Sequence, residues 1–263
     1  VFMTLGGNFA SATPDTEATE IALGQVGLTV HVSTKLNRSH AVPGVESLIL
    51  PSLGRSDTDV QAGARQFVTV EDSMSVVHRS QGSLRPPGED VLSEPVIVAE
   101  IAHRLLAGNP IDWLGAAADY DRIRNHIESA IDGFDGFNAR VREPNGFVLA
   151  NPPRDVREFP TASGRARFTI NQMDGVAVPE GYLLLQTMRS HDQFNTTVYG
   201  LDDRYRGVQG TRDVVFVHPD DLAAQNLRDG QRLDVVSVSS DGERRMRGVV
   251  AVAYPTPQGC AAA

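Results

Sequence analysis

The sequence predicts an α/β region built on a parallel sheet, followed by an all-β region with one small helix. Three observations carry this. Apolar strand-like runs alternate with a helical segment over residues 1–51, short β-branched runs broken by Gly and Asp follow residue 160, and a Pro-rich stretch lies between them.

The opening run 1–5 is apolar and strand-like, and Gly6-Gly7-Asn8 reads as a turn. Residues 11–23 are expected to form a helix, with Pro14, Asp15 and Glu17 near its start. Residues 28–32 alternate as a strand, 34–39 form a polar loop, and 47–50 form a buried strand ending at Pro51. Strand, helix, strand, loop, strand implies parallel pairing, with ligands beyond the carboxyl ends of the strands. Gly6–Asn8 and the 34–39 loop occupy that position.

Residues 52–92 are polar and weakly periodic, with strand-like pieces at 66–70 and 75–78 and a turn at Pro86-Pro87-Gly88. A helix is expected over 94–106, its apolar face carrying Val98, Ile101, Ala102 and Leu105. A second is expected over 120–131, with Ile123, Ile127 and Ala130 on one face, ended by Asp132-Gly133 and Asp135-Gly136. The stretch 144–153, with Asn151-Pro152-Pro153, is the best candidate for a linker.

Beyond it, strands are expected at 165–170, 182–187, 214–217, 232–238 and 247–253, with tight turns at Asp229-Gly230 and Asp241-Gly242. A short helix over 219–225 has Asp220 and Asp221 in its first turn, where acidic groups suit the helix dipole. Many short strands with one small helix suggest a closed barrel. The run Glu243-Arg244-Arg245-Met246-Arg247 reads as an exposed hairpin.

Composition narrows the function. Twenty-four basic against 33 acidic residues give a net charge of −9, which opposes non-specific nucleic-acid binding because that requires a basic face. Cys260 is the one cysteine, so no intrachain disulfide and no cysteine-ligated cluster is available. It reads as a small residue near a frayed end. No apolar run approaches the roughly 20 residues that span a bilayer, and a cytoplasmic setting is expected. The chain begins Val1-Phe2-Met3 and stops at Ala261-Ala262-Ala263, and both ends read as cuts through a longer protein.

Several clusters, in order, resemble one family. Phe159-Pro160-Thr161-Ala162-Ser163-Gly164-Arg165 is similar to the turn leading into the C-terminal domain of molybdopterin oxidoreductases. The run from Thr187 through Arg189, His191, Gln193 and Asn195 to Thr196 resembles the strand and loop that wrap the cofactor there. His218-Pro219-Asp220-Asp221-Leu222 and Leu227-Arg228-Asp229-Gly230 resemble that domain's core. Leu5-Gly6-Gly7-Asn8, Thr34-Lys35-Leu36-Asn37-Arg38-Ser39-His40 and Leu48-Ile49-Leu50-Pro51 resemble the last part of the family's Rossmann-like domain. Val70-Glu71-Asp72-Ser73-Met74 and the Pro86-Pro87 turn look like formate-dehydrogenase-like alpha subunits in particular.

The resemblance implies a partial Rossmann-like parallel-sheet domain over 1–150 and a truncated double-psi β-barrel domain over 151–263. It implies a molybdopterin guanine dinucleotide, with molybdenum in the parent protein. An iron–sulfur cluster, where the family has one, belongs to an earlier part of the chain, as does any side chain that ligates the metal; neither metal-binding nor catalytic residues are expected here. The expected partners are the remaining N-terminal domains and the parent's small-molecule substrate, with no nucleic acid and no membrane segment. Such a chain positions the cofactor and leaves the chemistry elsewhere.

The residue types suit that task. Arg189 offers a planar fork to a phosphate or a pterin carbonyl. Gln193 and Asn195 share one strand face, and each amide supplies donor and acceptor to a ring edge. Thr187 and Thr196 add hydroxyls. Gly6 and Gly7 let the backbone approach a ligand, and Asn8, Thr34, Asn37, Arg38 and Ser39 extend the donor set. For His40 and His191, cofactor contact and plain loop polarity both remain open. His218 reads as a strand-end histidine, and Asp229-Gly230 as a turn. A second class of function is a non-enzymatic double-psi barrel that docks proteins or adaptors, which would have no need of the Gly6–Asn8 and 34–39 loops.

Overall fold

The computed structural model describes every residue except 174, 240 and 241. Asp241 of the expected Asp241-Gly242 turn lies outside the described residues. The chain divides into two compact units, Val1–Phe168 and Thr169–Ala263; the boundary expected from sequence lay at 150/151.

The first unit opens with strand β1 (Phe2–Leu5), helix α1 (Phe9–Ala12), helix α2 (Thr16–Gly24), strand β2 (Leu28–Ser33), a 3-10 turn at Arg38–Ala41 and strand β3 (Glu46–Pro51). The three strands form a parallel sheet in the order β1-β2-β3, as expected for a strand–helix–strand sequence. β2 is central, and Thr29 to Val32 are all buried. The helix expected over 11–23 is two helices. Thr13-Pro14 interrupts them, since proline has no N–H to give a continuing helix, and Asp15 caps the second by accepting from Ala18 N at 3.0 Å.

Next come the short antiparallel pair β4 (Val60–Gln61) and β5 (Ala64–Arg65), then β6 (Val68–Glu71) and β7 (Val76–Ser80). Helices α3 (Glu94–Leu105), α4 (Trp113–Ala118), α5 (Tyr120–Ala130) and α6 (Phe137–Arg140) follow, then β8 (Phe147–Val148) and α7 (Pro152–Asp155). β8 pairs with β7, and Phe147 is buried with Val77, Phe137 and Val141, so the stretch expected as a linker contributes to a core. Gly146 makes this possible: at φ +63° a Cβ would stand 2.0 Å from the Val77 carbonyl oxygen.

On α3 the buried residues are Val96, Ile97 and Ala99; of the face expected from spacing, Ile101 and Ala102 are half-buried while Val98 and Leu105 are exposed, so the buried stripe is rotated from the expected one. Two partners set the rotation. Val96 and Ala99 pack with Ala117 of α4, and Ser93 before the helix meets the Tyr120 hydroxyl at 2.7 Å. On α5 the buried side chains are Tyr120 and Arg124. The guanidinium of Arg124 lies 4.0 Å over the Phe67 ring and pairs with Asp121, which makes its burial tolerable.

The second unit holds β9 (Leu184–Gln186), the hairpin β10 (Gln193–Phe194) and β11 (Thr197–Val198), β12 (Val214–Val217), α8 (Pro219–Ala224), β13 (Arg232–Ser239), β14 (Gly242–Ala253) and β15 (Cys260–Ala262). Five strands join one mixed sheet in the order β13-β14-β12-β15-β9. Val215, Val217, Leu222, Val249, Ala251 and Ala261 form its core. Against the sheet lies an open pocket of about 640 Å³ of mixed lining, with Leu183, Leu185, Leu227, Leu233, Asp221 and Asp234 among its residues. Among the described residues this is a half-barrel with β13 and β9 as edges. The strand expected over 165–170 is absent, and Phe168 and Ile170 stand in solvent. Cys260 is no frayed end: its strand pairs with both β12 and β9.

Candidate functional site

In the first unit the expected residues gather on two loops beyond the carboxyl ends of β1 and β2. Gly6 takes φ +70°, open to glycine at no steric cost, and donates its N–H to the Val32 carbonyl at 2.8 Å. Asn8 precedes α1, and its carbonyl accepts from Ser11 and Ala12. The second loop is tied to the first at two points. Asn37 Nδ2 donates to the Gly7 carbonyl at 3.0 Å, and the Ser39 hydroxyl accepts from Ala10 N at 3.0 Å.

These ties assign different roles to the expected donors. Asn37 Oδ1 also accepts from Ser39 N at 3.0 Å, so both ends of its amide are used within the fold. Ser39 is fully buried, which makes its hydroxyl a brace for α1. Arg38 donates to Glu20 of α2, and that bond, then the carboxylate's charge, raises its already high pKa. Gly7, Thr34 and Lys35 remain exposed at the rim. His40 Nδ1 accepts from Asn37 N at 3.0 Å, completing a capping box. Its ring lies 4.9 Å from that of His31, which is 1% exposed and within 2.9 Å of the Thr4 hydroxyl.

In the second unit, Thr187 and Arg189 follow β9 and are exposed. Arg189 makes no hydrogen bond or ion pair among the described residues, so its fork is available to a ligand. Gln193 Oε1 accepts from the Ser190 hydroxyl at 3.1 Å, leaving its amide hydrogens for another acceptor. Asn195 and Thr196 form the turn of the β10–β11 hairpin, with Asn195 at φ +52°, a left-handed position that asparagine tolerates. Its place is thus explained by the turn as well as by any ligand.

His191 sits in a cluster that spacing did not reveal. Its ring stacks on Tyr205 at 4.0 Å, with Nδ1 3.5 Å from Asp203 Oδ1 and 3.4 Å from Arg206 Nη1. Asp203 is 1% exposed and accepts from Arg206 at 2.7 Å and Tyr205 N at 3.2 Å. Burial pushes its carboxyl up; the Arg206 guanidinium and the backbone N–H groups of Tyr205 and His191 outweigh that and hold it below the usual carboxylate range. Arg212 clamps the next loop through the Gly200 and Asp202 carbonyls at 2.7 and 2.8 Å. The one local sign was the charge run Asp202-Asp203-Arg204-Tyr205-Arg206, which pairs Asp203 with Arg206 three residues on.

The residues read as structural behave so. His218 accepts from Asp220 N at 3.2 Å as the cap of α8, and Gly230 turns at φ +74°. Asp220 and Asp221 do more than begin a helix, for they accept from Gln258 Nε2 and Gly259 N, each at 2.8 Å. Among the described residues, no group of three or more His, Cys, Asp or Glu side chains could hold a metal ion, and no helix is long and apolar enough to cross a membrane.

Residues 183–262, from β9 through β15, match the family described as the molydopterin dinucleotide binding domain. Over 269 residues the chain is 55% identical to the uncharacterized oxidoreductase Rv2900c of Mycobacterium tuberculosis (strain H37Rv), covering 100% of this chain and 34% of the relative. Over 257 residues it is 45% identical to protein YdeP of Escherichia coli (strain K12), covering 95% of this chain and 34% of that protein. The chain thus spans about a third of the length of these relatives. The matched family is described as binding a molybdopterin dinucleotide, and the Mycobacterium relative is named an oxidoreductase.

Proposed function

We propose that this chain forms part of the binding site for a molybdopterin guanine dinucleotide in a formate-dehydrogenase-like oxidoreductase, and that it positions the cofactor without catalysing the reaction. The observation that carries the reading is the exposed guanidinium of Arg189, unpaired among the described residues, inside the stretch that matches the dinucleotide-binding family. A planar fork with no internal partner suits a pyrophosphate or a pterin carbonyl. Gln193, with its amide hydrogens unspent, suits a heterocycle edge.

Thr187 and Thr196 extend the donor set in the second unit, and Gly7, Asn8 and Thr34 in the first. Arg38, Asn37, Ser39 and His40 hold the loop that presents them; His191 and Asn195 shape the other. When bound, the cofactor and its metal supply the redox chemistry, and the protein's share is binding and orientation. We assign the half-barrel to a double-psi barrel, and the metal-ligating side chain, any iron–sulfur cluster and most of the substrate pocket to the two-thirds of the relatives' length that this chain does not span.

Charge reversal tests the reading. In the full-length protein, Arg189→Glu is expected to lower the molybdenum and pterin content of the purified protein together; unchanged content of both would remove Arg189 from the site. The 263-residue chain alone is expected to show no turnover with formate and a dye acceptor, and turnover there would end the proposed division of labour.

A further inference from the structure

We infer that the pair of buried His31 and half-buried His40 positions the Gly6–Asn8 loop, holding Asn37 in its clip on Gly7 while both rings are neutral. The inference rests on the reading of that loop as one wall of the cofactor site.

Four observations support it. His31 is 1% exposed in the central strand of the parallel sheet, and the His40 ring lies 4.9 Å away at a 40° tilt. The Nε2 atoms of both rings are buried with no hydrogen-bond partner among the described residues. His40 Nδ1 accepts the Asn37 backbone N–H at 3.0 Å, and the Asn37 side chain reaches Gly7. That same Nδ1 lies 3.1 Å from Asn37 Oδ1, the atom that now accepts from Ser39 N.

One ring atom therefore has three partners within reach: the Asn37 backbone N–H, the Asn37 carbonyl oxygen at 3.3 Å and Asn37 Oδ1. As a bare nitrogen, Nδ1 takes the Asn37 backbone N–H and leaves Oδ1 to Ser39. Once protonated it can only donate, so it gives up the backbone N–H and turns to the Asn37 carbonyl or to Oδ1, where it competes with Ser39. The capping box then breaks, and the Asn37 amide is pulled from its geometry at Gly7. Thr4 on β1 and Ile49, the register partner of His31 on β3, carry no charge, and Arg38 beside His40 is paired with Glu20. Burial first, and then the nearness of His40, keep His31 below the ordinary imidazole range.

The test follows the rings and the amides of this chain by NMR, with no cofactor present. At pH 7.5 the ring ¹⁵N shifts should show His40 neutral with its proton on Nε2; a charged ring, or a proton on Nδ1, would overturn the inference. Between pH 7.5 and 5.5, hydrogen-exchange protection of the Asn37 amide, corrected for intrinsic rate, should fall about tenfold, the worth of one hydrogen bond. His40→Gln keeps a capping-box acceptor that does not titrate, so its protection should change less than about twofold, and its His31 titration should move upward. Equal losses in both proteins, or none in the wild type, would overturn it. Because cofactor is absent, failure here leaves the Arg189 reading standing, and failure of Arg189→Glu leaves these outcomes unchanged.

Discussion

The side-chain amide of Asn37 donates to the Gly7 carbonyl at 3.0 Å while its oxygen accepts from Ser39 N at 3.0 Å. One residue thus joins two loops thirty positions apart. Asn37→Ala removes both bonds and the cap of the 3-10 turn, which costs about 1–2 kcal/mol. Amide exchange at Asn8, Ala10 and Ser39 should accelerate together; acceleration at Ser39 alone would show that the Gly7 bond does not hold the first loop.

Asp203 does comparable work in the second unit. Its carboxyl is held below the ordinary range, so it contributes stability that is fully present above about pH 4. That contribution is lost as pH falls through its lower folded value. At neutral pH, Asp203→Asn leaves Arg206 without its ion pair, at a cost of about 1–3 kcal/mol. Trypsin should then cut faster at Arg204 and Arg206. Unchanged cleavage would mean that the stack of His191 on Tyr205 orders this loop without the carboxylate.

The parallel sheet was legible because apolar runs at 1–5, 28–32 and 47–50 sit around a helical segment, and that order admits few topologies. The rotation of α3 was not. Val98, Ile101, Ala102 and Leu105 have good helical spacing, yet Ala117 and the Ser93–Tyr120 contact select the face with Val96 and Ala99. Periodicity reports a stripe, whereas burial depends on what the stripe meets. The site divides the same way. Polar loops at 6–8, 34–40 and 187–196 were visible as donor-rich segments, but which donors are spent internally is a tertiary fact. Ser39, Arg38 and Asn37 are spent on Ala10, Glu20 and Gly7; Arg189 is not. His31 drew no notice because a histidine in an apolar strand carries no local mark of the ring beside it.

His31 also gives the first unit a pH-dependent stability. Its folded pKa lies below the ordinary imidazole value of about 6.5, so the unfolded chain binds the proton more readily. Stability is therefore complete above that value and declines as pH falls through it toward the lower folded value. Urea midpoints should drop between pH 7.5 and 5.5, and His31→Phe, which keeps a ring but no titrating nitrogen, should flatten that dependence. An equal slope in the variant would assign the effect to another group.

Asp221 ties α8 to the turn that launches β15, accepting from Gly259 N at 2.8 Å, and Asp220 holds Gln258 beside it. β15 is only three residues long but lies between β12 and β9, so β9 depends on it for its place in the sheet. A short strand makes few bonds of its own and is sensitive to how it is entered. Asp221→Ala removes a charged acceptor at a partly exposed site, a loss of about 1 kcal/mol. Exchange should rise at Gly259 first and then at Cys260, Ala262 and Leu184, whereas Asp221→Asn, which keeps an acceptor oxygen, should recover most of the protection. Fast exchange at Gly259 with Leu184 still protected would show that β9 is held by its packing around Leu183 and Leu185 rather than through β15.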